Sequence, residues 1–262
     1  MSPILPPNKL SLGHDLEKLI KAQYHDPFSV LGHCDGYSGK VIRVMIPFCK
    51  SVRLGKKGPE MVRLPNTDIF EYPYSKEDIP DHYRLDWEDN EGNQYTEYDP
   101  YTFMPNISDY DLYLFNQGRH WHIYRILGAH CIEIDGIQGV QFAVWAPNAE
   151  RVSIIADFNR WDGRRHPMQS IGSSGVWVLF IPEVATEIPY KFEIRNRESG
   201  QILVKSDPYA QQFEIRPNTA SLVTKPSKFC WLDEHWVASR KETDWLHEPM
   251  SIYEVHLGSW QR

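Results

Sequence analysis

The sequence contains little cysteine, no long apolar run and no concentration of basic residues. Its four cysteines show no CxxC spacing. An even number would permit disulfides, but the first ten residues, MSPILPPNKL, lack the apolar core of a secretion signal. No apolar run approaches the roughly 20 residues that a membrane helix needs. These observations favour a cytosolic protein with free thiols and no membrane contact.

The charge of the chain argues against a nucleic-acid partner. The net charge is −7, and the lysines and arginines are scattered along the sequence. No basic face for nucleic acid is therefore expected. A negative net charge does not hinder the binding of a neutral partner such as a sugar.

What the sequence does contain is a sizeable hydrophobic fraction arranged in short runs. The 262 residues are 41% hydrophobic and 13% aromatic, enough for one large domain or two of about 100 to 150 residues. Helices are predicted at His14 to Tyr24 and, after a Ser108 cap, at Asp109 to Asn116. The other runs predict strands, at Val41–Ile46, Ser51–Leu54, Phe70–Tyr74, His82–Trp87, Gln94–Tyr98, Val140–Trp145, Arg151–Ala156, Val176–Ile181 and Tyr190–Ile194.

The chain contains an internal repeat with an offset near 100 residues. Val41–Leu54 matches Gln141–Ile155, and His82–Tyr101 matches Pro189–Tyr209, with Asp-Pro-Tyr ending both copies of the second pair. Two copies of one all-β unit explain this match. The predicted fold is mainly β, with two tandem immunoglobulin-like β-sandwiches joined by a short helix. The predicted boundaries are 1–107 for an N-terminal helix plus sandwich, 108–130 for a connector, 131–226 for the second sandwich, 227–250 for a linker and 251–262 for a further strand.

The loop at Asp157–Gly163, which follows a predicted strand pair, carries two aromatic side chains that a turn does not require. An aromatic ring beside an amide and charged groups can bind a polyhydroxylated ligand. The strand Tyr190–Ile194 alternates apolar and charged residues, so Lys191 is predicted to point outward.

Several segments together resemble the N-terminal part of the bacterial glycogen branching enzymes. HDPFSVLGHC resembles the first module of that family. FAVWAPNAERVSII, FNRWDGRRHPM, YKFEI, KSDPYA and RPNTASLV resemble its family 48 carbohydrate-binding module, and SIYEVHLGSW resembles the first strand of its catalytic (β/α)8 barrel. YEVH alone is shared with isoamylase-like and trehalohydrolase-like relatives, whereas the GSW ending and the extra N-terminal module favour branching enzymes.

The resemblance implies a role in glycogen synthesis. Branching enzymes cleave an α-1,4-glucan and transfer the cut segment to a sugar 6-hydroxyl by a retaining mechanism. The carboxylates that do this lie on later barrel strands, so no catalytic residue is expected in this chain, Glu254 included. The implied partners are α-1,4-glucan or glycogen and the missing barrel of the same protein, and no cofactor is implied.

The resemblance also implies a sugar site at Trp161 and Lys191, with Asn159 as a polar neighbour. Alternatively, Trp161 packs under its loop or against the barrel. Related glycogen-targeting modules carry a second tryptophan where this chain has Ile202–Leu203. One aromatic ring buries roughly 80 Å² of sugar surface, which contributes about 2 kcal/mol of binding free energy at 25 cal/mol/Å². A millimolar site needs roughly 4 kcal/mol, so weak binding is expected.

Other features allow more than one interpretation. His120, His122 and His130 are expected to be structural rather than metal ligands. Arg164-Arg165-His166 is predicted to be a solvated loop or a contact with the barrel, and the two Asp-Pro-Tyr sequences are predicted to make turns and inter-domain contacts. The alternative functions are a stand-alone glycogen-binding module and an isoamylase or trehalohydrolase relative. A barrel strand at Ser251–Gly258 would disfavour the stand-alone module, which has no use for one.

Overall fold

The computed structural model describes residues 13–36, 39–74, 79–225 and 227–260. The loose lead predicted at Met1 to Asn8 lies outside these residues. The chain divides into a larger unit that runs to Lys225 and a smaller unit that begins at Pro226. Among the described residues, no helix is both long and apolar enough to cross a membrane.

Within its described residues, the larger unit contains two α-helices and fifteen strands. The helices are α1 (His14–Ile20) and α2 (Asp109–Asn116). The strands of the first half are β1 (Gly32–Gly36), β2 (Gly39–Met45), β3 (Cys49–Leu54), β4 (Val62–Arg63), β5 (Ile69–Pro73), β6 (Arg84–Asp89) and β7 (Gln94–Tyr98). Those of the second half are β8 (Gly128–Ile134), β9 (Ile137–Trp145), β10 (Ala149–Ala156), β11 (Gln169–Ser170), β12 (Val176–Pro182), β13 (Pro189–Asn196), β14 (Ile202–Lys205) and β15 (Ser221–Leu222).

The two halves repeat one sheet topology. In the first sandwich, a sheet of order β1-β2-β5-β4 faces a sheet of order β3-β6-β7; in the second, a sheet of order β8-β9-β12-β11 faces one of order β10-β13-β14, with β15 beside β13. All the pairs are antiparallel. Side chains of the facing sheets form the cores, with Ile42, Phe70 and Leu85 in the first and Phe142, Leu179 and Phe192 in the second. The prediction of a mainly β fold is confirmed.

Helix α2 has the predicted bounds, whereas α1 is shorter than predicted. The Ser108 hydroxyl accepts a hydrogen bond from the Asp111 N–H at 3.1 Å, and Gly118 adopts a left-handed φ of 66° after the helix. Helix α1 ends at Ile20 instead of Tyr24, because Ala22 adopts a left-handed φ of 55° that a right-handed helix does not allow.

The repeat extends to a buried tyrosine–aspartate pair in each sandwich, which we call the Tyr–Asp lock. Tyr83 donates its hydroxyl to Asp99, and Tyr190 donates to Asp207, each at 2.5 Å. Both carboxylates also accept the backbone N–H two residues on, at 3.1 Å in the first copy and 2.8 Å in the second. Burial raises the pKa of Asp99 to about 6, although these hydrogen bonds act in the opposite direction. The predicted turn role of the Asp-Pro-Tyr sequences follows from these bonds.

The smaller unit contains helices α3 (Glu234–Glu242) and α4 (Leu257–Trp260). Ser251–His256 has no regular structure, so the predicted strand at Ser251–Gly258 is wrong for this chain. A strand needs a neighbouring strand to pair its backbone N–H and C=O groups. Among residues 227–260 there is none, and the apolar side chains Ile252, Tyr253 and Leu257 are exposed.

The cysteines are free thiols in this structure. Cys34 and Cys49 are buried, Cys131 is half-buried and Cys230 is exposed. Burial raises the pKa of Cys34 and of Cys49 to about 11, so both thiols are uncharged at neutral pH.

Candidate functional site

A loop between β10 and β11, which we call the aromatic loop (residues 157–165), presents Trp161 in a constrained backbone conformation. Arg160 and Trp161 both have a left-handed φ, 56° and 58°. Non-glycine residues rarely adopt this conformation, and it persists only where the surroundings impose it. Here the Trp161 N–H donates to the Ala156 carbonyl at 2.9 Å, and the Arg160 N–H donates to the Asp157 carbonyl at 3.1 Å. These bonds set the backbone conformation from which the Trp161 side chain projects.

Trp161 is half-buried rather than fully exposed. Its indole Nε1 donates to the Asp157 carboxylate at 2.7 Å, so the polar edge of the ring is already bonded. Because Nε1 is bonded, any ligand contact of Trp161 would be with its aromatic ring surface, which suits the apolar face of a sugar ring.

Asn159, predicted as a polar neighbour of the sugar, is only 3% exposed. Its Oδ1 accepts from the Ala156 N–H at 2.9 Å, and its Nδ2 donates to the Ile154 carbonyl at 2.8 Å and to His166 Nδ1 at 2.9 Å. Burial lowers the pKa of His166 well below its ordinary range, and the nearby Arg165 charge lowers it further. A neutral imidazole has the lone pair that the bond from Asn159 Nδ2 requires. The Asn159 amide therefore stabilises the loop from within instead of facing a ligand.

Lys191 lies on β13 and is half-buried, while its neighbours Tyr190 and Phe192 are fully buried. This alternation is as predicted. The ammonium donates to the Thr219 hydroxyl at 2.7 Å. Since an ammonium has three donors, two remain for solvent or a ligand.

Strand pairing brings Lys191 and the start of the aromatic loop to neighbouring positions. In the β10–β13 register, Ile155 lies opposite Lys191 and Ala156 lies opposite Tyr190. The Ala156 carbonyl is the group that holds the Trp161 backbone. The two predicted sugar contacts therefore arise from the same end of the same strand pair.

A buried arginine fastens the far end of the loop to the sheet. Arg151 is fully buried, and its guanidinium donates to the Gly163 carbonyl at 2.6 Å, to the Ser153 hydroxyl at 3.0 Å and to Glu193. A Cβ on Gly163 would lie 2.2 Å from a Glu193 oxygen, so a larger residue there would displace the carboxylate that pairs with Arg151. Sequence reasoning missed this anchor, because the partners are 12 and 42 residues from Arg151.

The prediction of a solvated Arg164-Arg165-His166 segment is wrong. Arg165 is 7% exposed and His166 is also buried. The reason is a partner distant in sequence: Arg165 pairs with Glu97 and stacks on Trp87, with its guanidinium carbon 4.6 Å from the ring centroid. No local pattern reveals a contact of this kind, because both partners belong to the first sandwich.

The histidines near the connector make ordinary protein contacts. His120 Nε2 bonds to the Asp111 carboxylate at 2.8 Å, and His130 Nε2 bonds to the Leu127 carbonyl at 3.0 Å. In the part of the chain that the structure describes, no group of three or more His, Cys, Asp or Glu side chains is placed to hold a metal ion.

The second sandwich, which carries Trp161, matches a class of carbohydrate-binding domains. Residues 126–210, which contain the aromatic loop and Lys191, match the family described as carbohydrate-binding module 48 (isoamylase N-terminal domain). Residues 13–101 match the family described as alpha-1,4-glucan branching enzyme GlgB, N-terminal domain.

Similar proteins agree with both matches. The chain is 53% identical over 96% of its length to the 1,4-alpha-glucan branching enzyme GlgB of Methylococcus capsulatus, and 52% identical over 94% to that of Nitrosococcus oceani. It spans about a third of each relative, 34% and 33%. The chain is therefore similar to the N-terminal portion of the GlgB branching enzymes.

Solved structures resemble the chain only loosely. A type I pullulanase from Bacillus subtilis, complexed with maltose, aligns with 73% of this chain and 26% of its own at 15% identity. The TM-score of 0.33 is too low to support a functional comparison.

Proposed function

We propose that this chain is the glucan-binding and positioning part of a 1,4-α-glucan branching enzyme, and that α-1,4-glucan or glycogen binds at Trp161 and Lys191. The observation that carries the proposal is the half-buried ring of Trp161, bonded through Nε1 to Asp157, within the residues that match a carbohydrate-binding module. The proposed division of labour follows the boundaries given above, with residues 131–226 as the glucan-binding sandwich.

The chemistry of the site suits a neutral polyol. The open face of Trp161 covers the C–H face of a glucose unit, while the free donors of Lys191 bond to its hydroxyls. Because Nε1 of Trp161 is already bonded to Asp157, the tryptophan contributes its ring face alone. The site binds and orients a chain without acting on a glycosidic bond.

The affinity of this site is expected to be low. A single ring burying roughly 80 Å² of sugar supplies about 2 kcal/mol. Ile202, at the place where related modules carry a second tryptophan, is 50% exposed and offers no aromatic face. Weak binding is adequate for a module whose task is to keep a long glucan near a catalytic domain, since repeated attachment raises the effective concentration.

The proposed whole-protein reaction is the transfer of an α-1,4-glucan segment to a 6-hydroxyl. In the retaining mechanism, a carboxylate nucleophile holds the cut segment covalently and a second carboxyl group acts as acid and then base. We assign neither role to a residue of this chain. A cytosolic location, where glycogen is made and the thiols stay reduced, belongs to the same proposal.

Retention on a glycogen affinity gel tests the sugar site. Trp161→Ala should weaken binding about 30-fold, the equivalent of about 2 kcal/mol. The matched control is Trp121→Ala, since Trp121 is 87% exposed and lies outside the carbohydrate-binding match. The proposal is wrong if both variants bind glycogen as well as the parent. It is also wrong if Trp161→Ala melts many degrees early, as expected for a core tryptophan.

A further inference from the structure

The aromatic loop is attached to the first sandwich by its three arginines. Arg160 pairs with Asp89, Arg164 with Asp68 at 3.6 Å and Arg165 with Glu97. Each guanidinium also lies over an aromatic ring of the first sandwich, at centroid distances of 5.7 Å to Tyr95, 5.0 Å to Phe48 and 4.6 Å to Trp87, respectively. We call this set of contacts the arginine clamp.

The carboxylate of Asp89 is fixed by hydrogen bonds within its own hairpin. It is 0% exposed and accepts the Glu91 N–H at 2.9 Å and both the backbone and side-chain N–H groups of Asn93 at 2.9 and 3.0 Å. Burial opposes the charge, but these bonds and the one from Arg160 outweigh it and lower the pKa of Asp89. The hairpin between β6 and β7 thus holds an ionised carboxylate where Arg160 meets it.

Two aromatic rings of the clamp stack on each other, and an arginine contacts each of them. Trp87 and Tyr95 stack at 4.1 Å with an angle of 16° between their planes. Since Tyr95 covers one face of Trp87, Arg165 lies on the other face, and Arg160 approaches Tyr95 and bonds to its hydroxyl at 2.8 Å. Such cation–π contacts strengthen when they are shielded from water.

A cavity of about 350 Å³ lies between the loop and the first sandwich, lined in part by Phe48, Tyr95 and Phe158. Its aromatic lining would suit a sugar. However, arginines already lie over the Tyr95 and Phe48 rings. The contacts around this cavity therefore indicate a junction that holds the loop, rather than a second sugar-binding site.

We infer that the first sandwich positions the aromatic loop, so that glucan affinity at Trp161 depends on Asp89, Tyr95 and Glu97 of a different domain. This inference rests on the sugar site proposed above. Arg160, the residue that joins Asp89, directly precedes Trp161, and both have the strained left-handed conformation. Without the clamp, the described contacts that hold the loop are those to β10 and β13 and the bond from the Tyr101 hydroxyl to the Arg165 carbonyl at 3.4 Å.

Two substitutions in the first sandwich remove clamp contacts without touching the loop. Tyr95→Phe removes the hydroxyl that Arg160 bonds to while keeping the stacked ring. Glu97→Gln removes the charge that pairs with Arg165 but keeps an oxygen for Trp87 Nε1, which donates to Glu97 at 3.0 Å. The matched control is Arg53→Ala, which breaks an exposed 3.1 Å ion pair with Glu60 in the same sandwich.

The experiment measures glycogen retention, amide hydrogen exchange in residues 157–165 and the melting temperature. We expect the double variant Tyr95→Phe/Glu97→Gln to exchange loop amides at least tenfold faster and to bind glycogen at least threefold more weakly. Tyr95→Phe alone should show smaller changes in the same direction with a parent-like melting temperature. Glu97→Asp, which keeps the charge, should lose less affinity than Glu97→Gln, and Arg53→Ala should match the parent.

The outcomes separate the two proposals. If Trp161→Ala weakens binding but no clamp variant does, the positioning role is refuted and the sugar site stands. If Trp161→Ala has no effect while the clamp variants speed loop exchange, the sugar site is refuted, and with it the dependence of glucan affinity on the clamp. Should the double variant unfold, Tyr95→Phe decides alone, and unchanged exchange and affinity in it overturn the inference.

Discussion

The buried carboxyl group of Asp99 should make the stability of the first sandwich depend on pH. Its pKa is raised from 3.8 to about 6 by burial, against the opposing hydrogen bonds from Tyr83 and the Tyr101 N–H. Between these two pH values the folded state holds a proton that the unfolded state has released. The free energy of unfolding therefore falls as the pH rises through this window.

The size of the effect follows from the shift. About 2 pKa units at 1.36 kcal/mol each correspond to roughly 3 kcal/mol. This contribution is fully present below pH 3.8 and is lost by the time the pH has passed about 6. Asp99→Asn removes the titration and keeps a side-chain oxygen for the Tyr101 N–H.

Urea unfolding of the parent and of Asp99→Asn at pH values from 4 to 7.5 measures this contribution. The stability difference, parent minus variant, should decrease by roughly 3 kcal/mol across the window. Tyr83→Phe serves as a second variant: removing the hydroxyl donor should raise the pKa of Asp99 further and extend the window upward. A difference that stays constant with pH would refute the reasoning, because it would mean that Asp99 remains ionised when folded.

Three further outcomes are expected. Gly32→Ala should destabilise more than Gly128→Ala, because a Cβ would lie 2.7 Å from the Tyr101 oxygen in the first case and 3.3 Å from the Tyr209 oxygen in the second; thermal melting of both variants decides, and equal losses would contradict the geometry. Amides of residues 251–256 should exchange within seconds in the isolated monomer, because no backbone hydrogen bond of a strand protects them; strong protection would count against this. The 262-residue chain alone should leave the absorbance of iodine-stained amylose unchanged, since the family's catalytic carboxylates are expected on later barrel strands, and a clear fall in absorbance would show that this chain carries the reaction.

Local signals in the sequence were enough for much of the fold. The start and end of α2 follow from a serine cap and a closing glycine, both of which act within a few residues. The outward direction of Lys191 follows from the alternation of buried and half-buried residues in the first half of β13. The repeat predicted two copies of one all-β unit, and the two sandwiches do share one sheet topology.

Long-range contacts account for what the sequence did not reveal. Arg165 looks like a surface residue in its own segment and is buried only because Glu97 and Trp87, 68 and 78 positions earlier, lie against it. Asn159 looks like a polar group available to a ligand, yet its amide completes the inside of the loop. Ser251–His256 has the composition of a strand, but composition does not supply a pairing partner.

The arginine clamp has a consequence for how these two domains evolve and can be transplanted. A second sandwich excised at its own boundary would keep Arg160, Arg164 and Arg165 but leave behind the acids and rings that they meet. Charge changes on one side of the junction should therefore be tolerated mainly when the other side changes with them. The two domains should therefore be inherited together. A graft of the Trp161 site onto another protein should include the β6–β7 hairpin of the first sandwich.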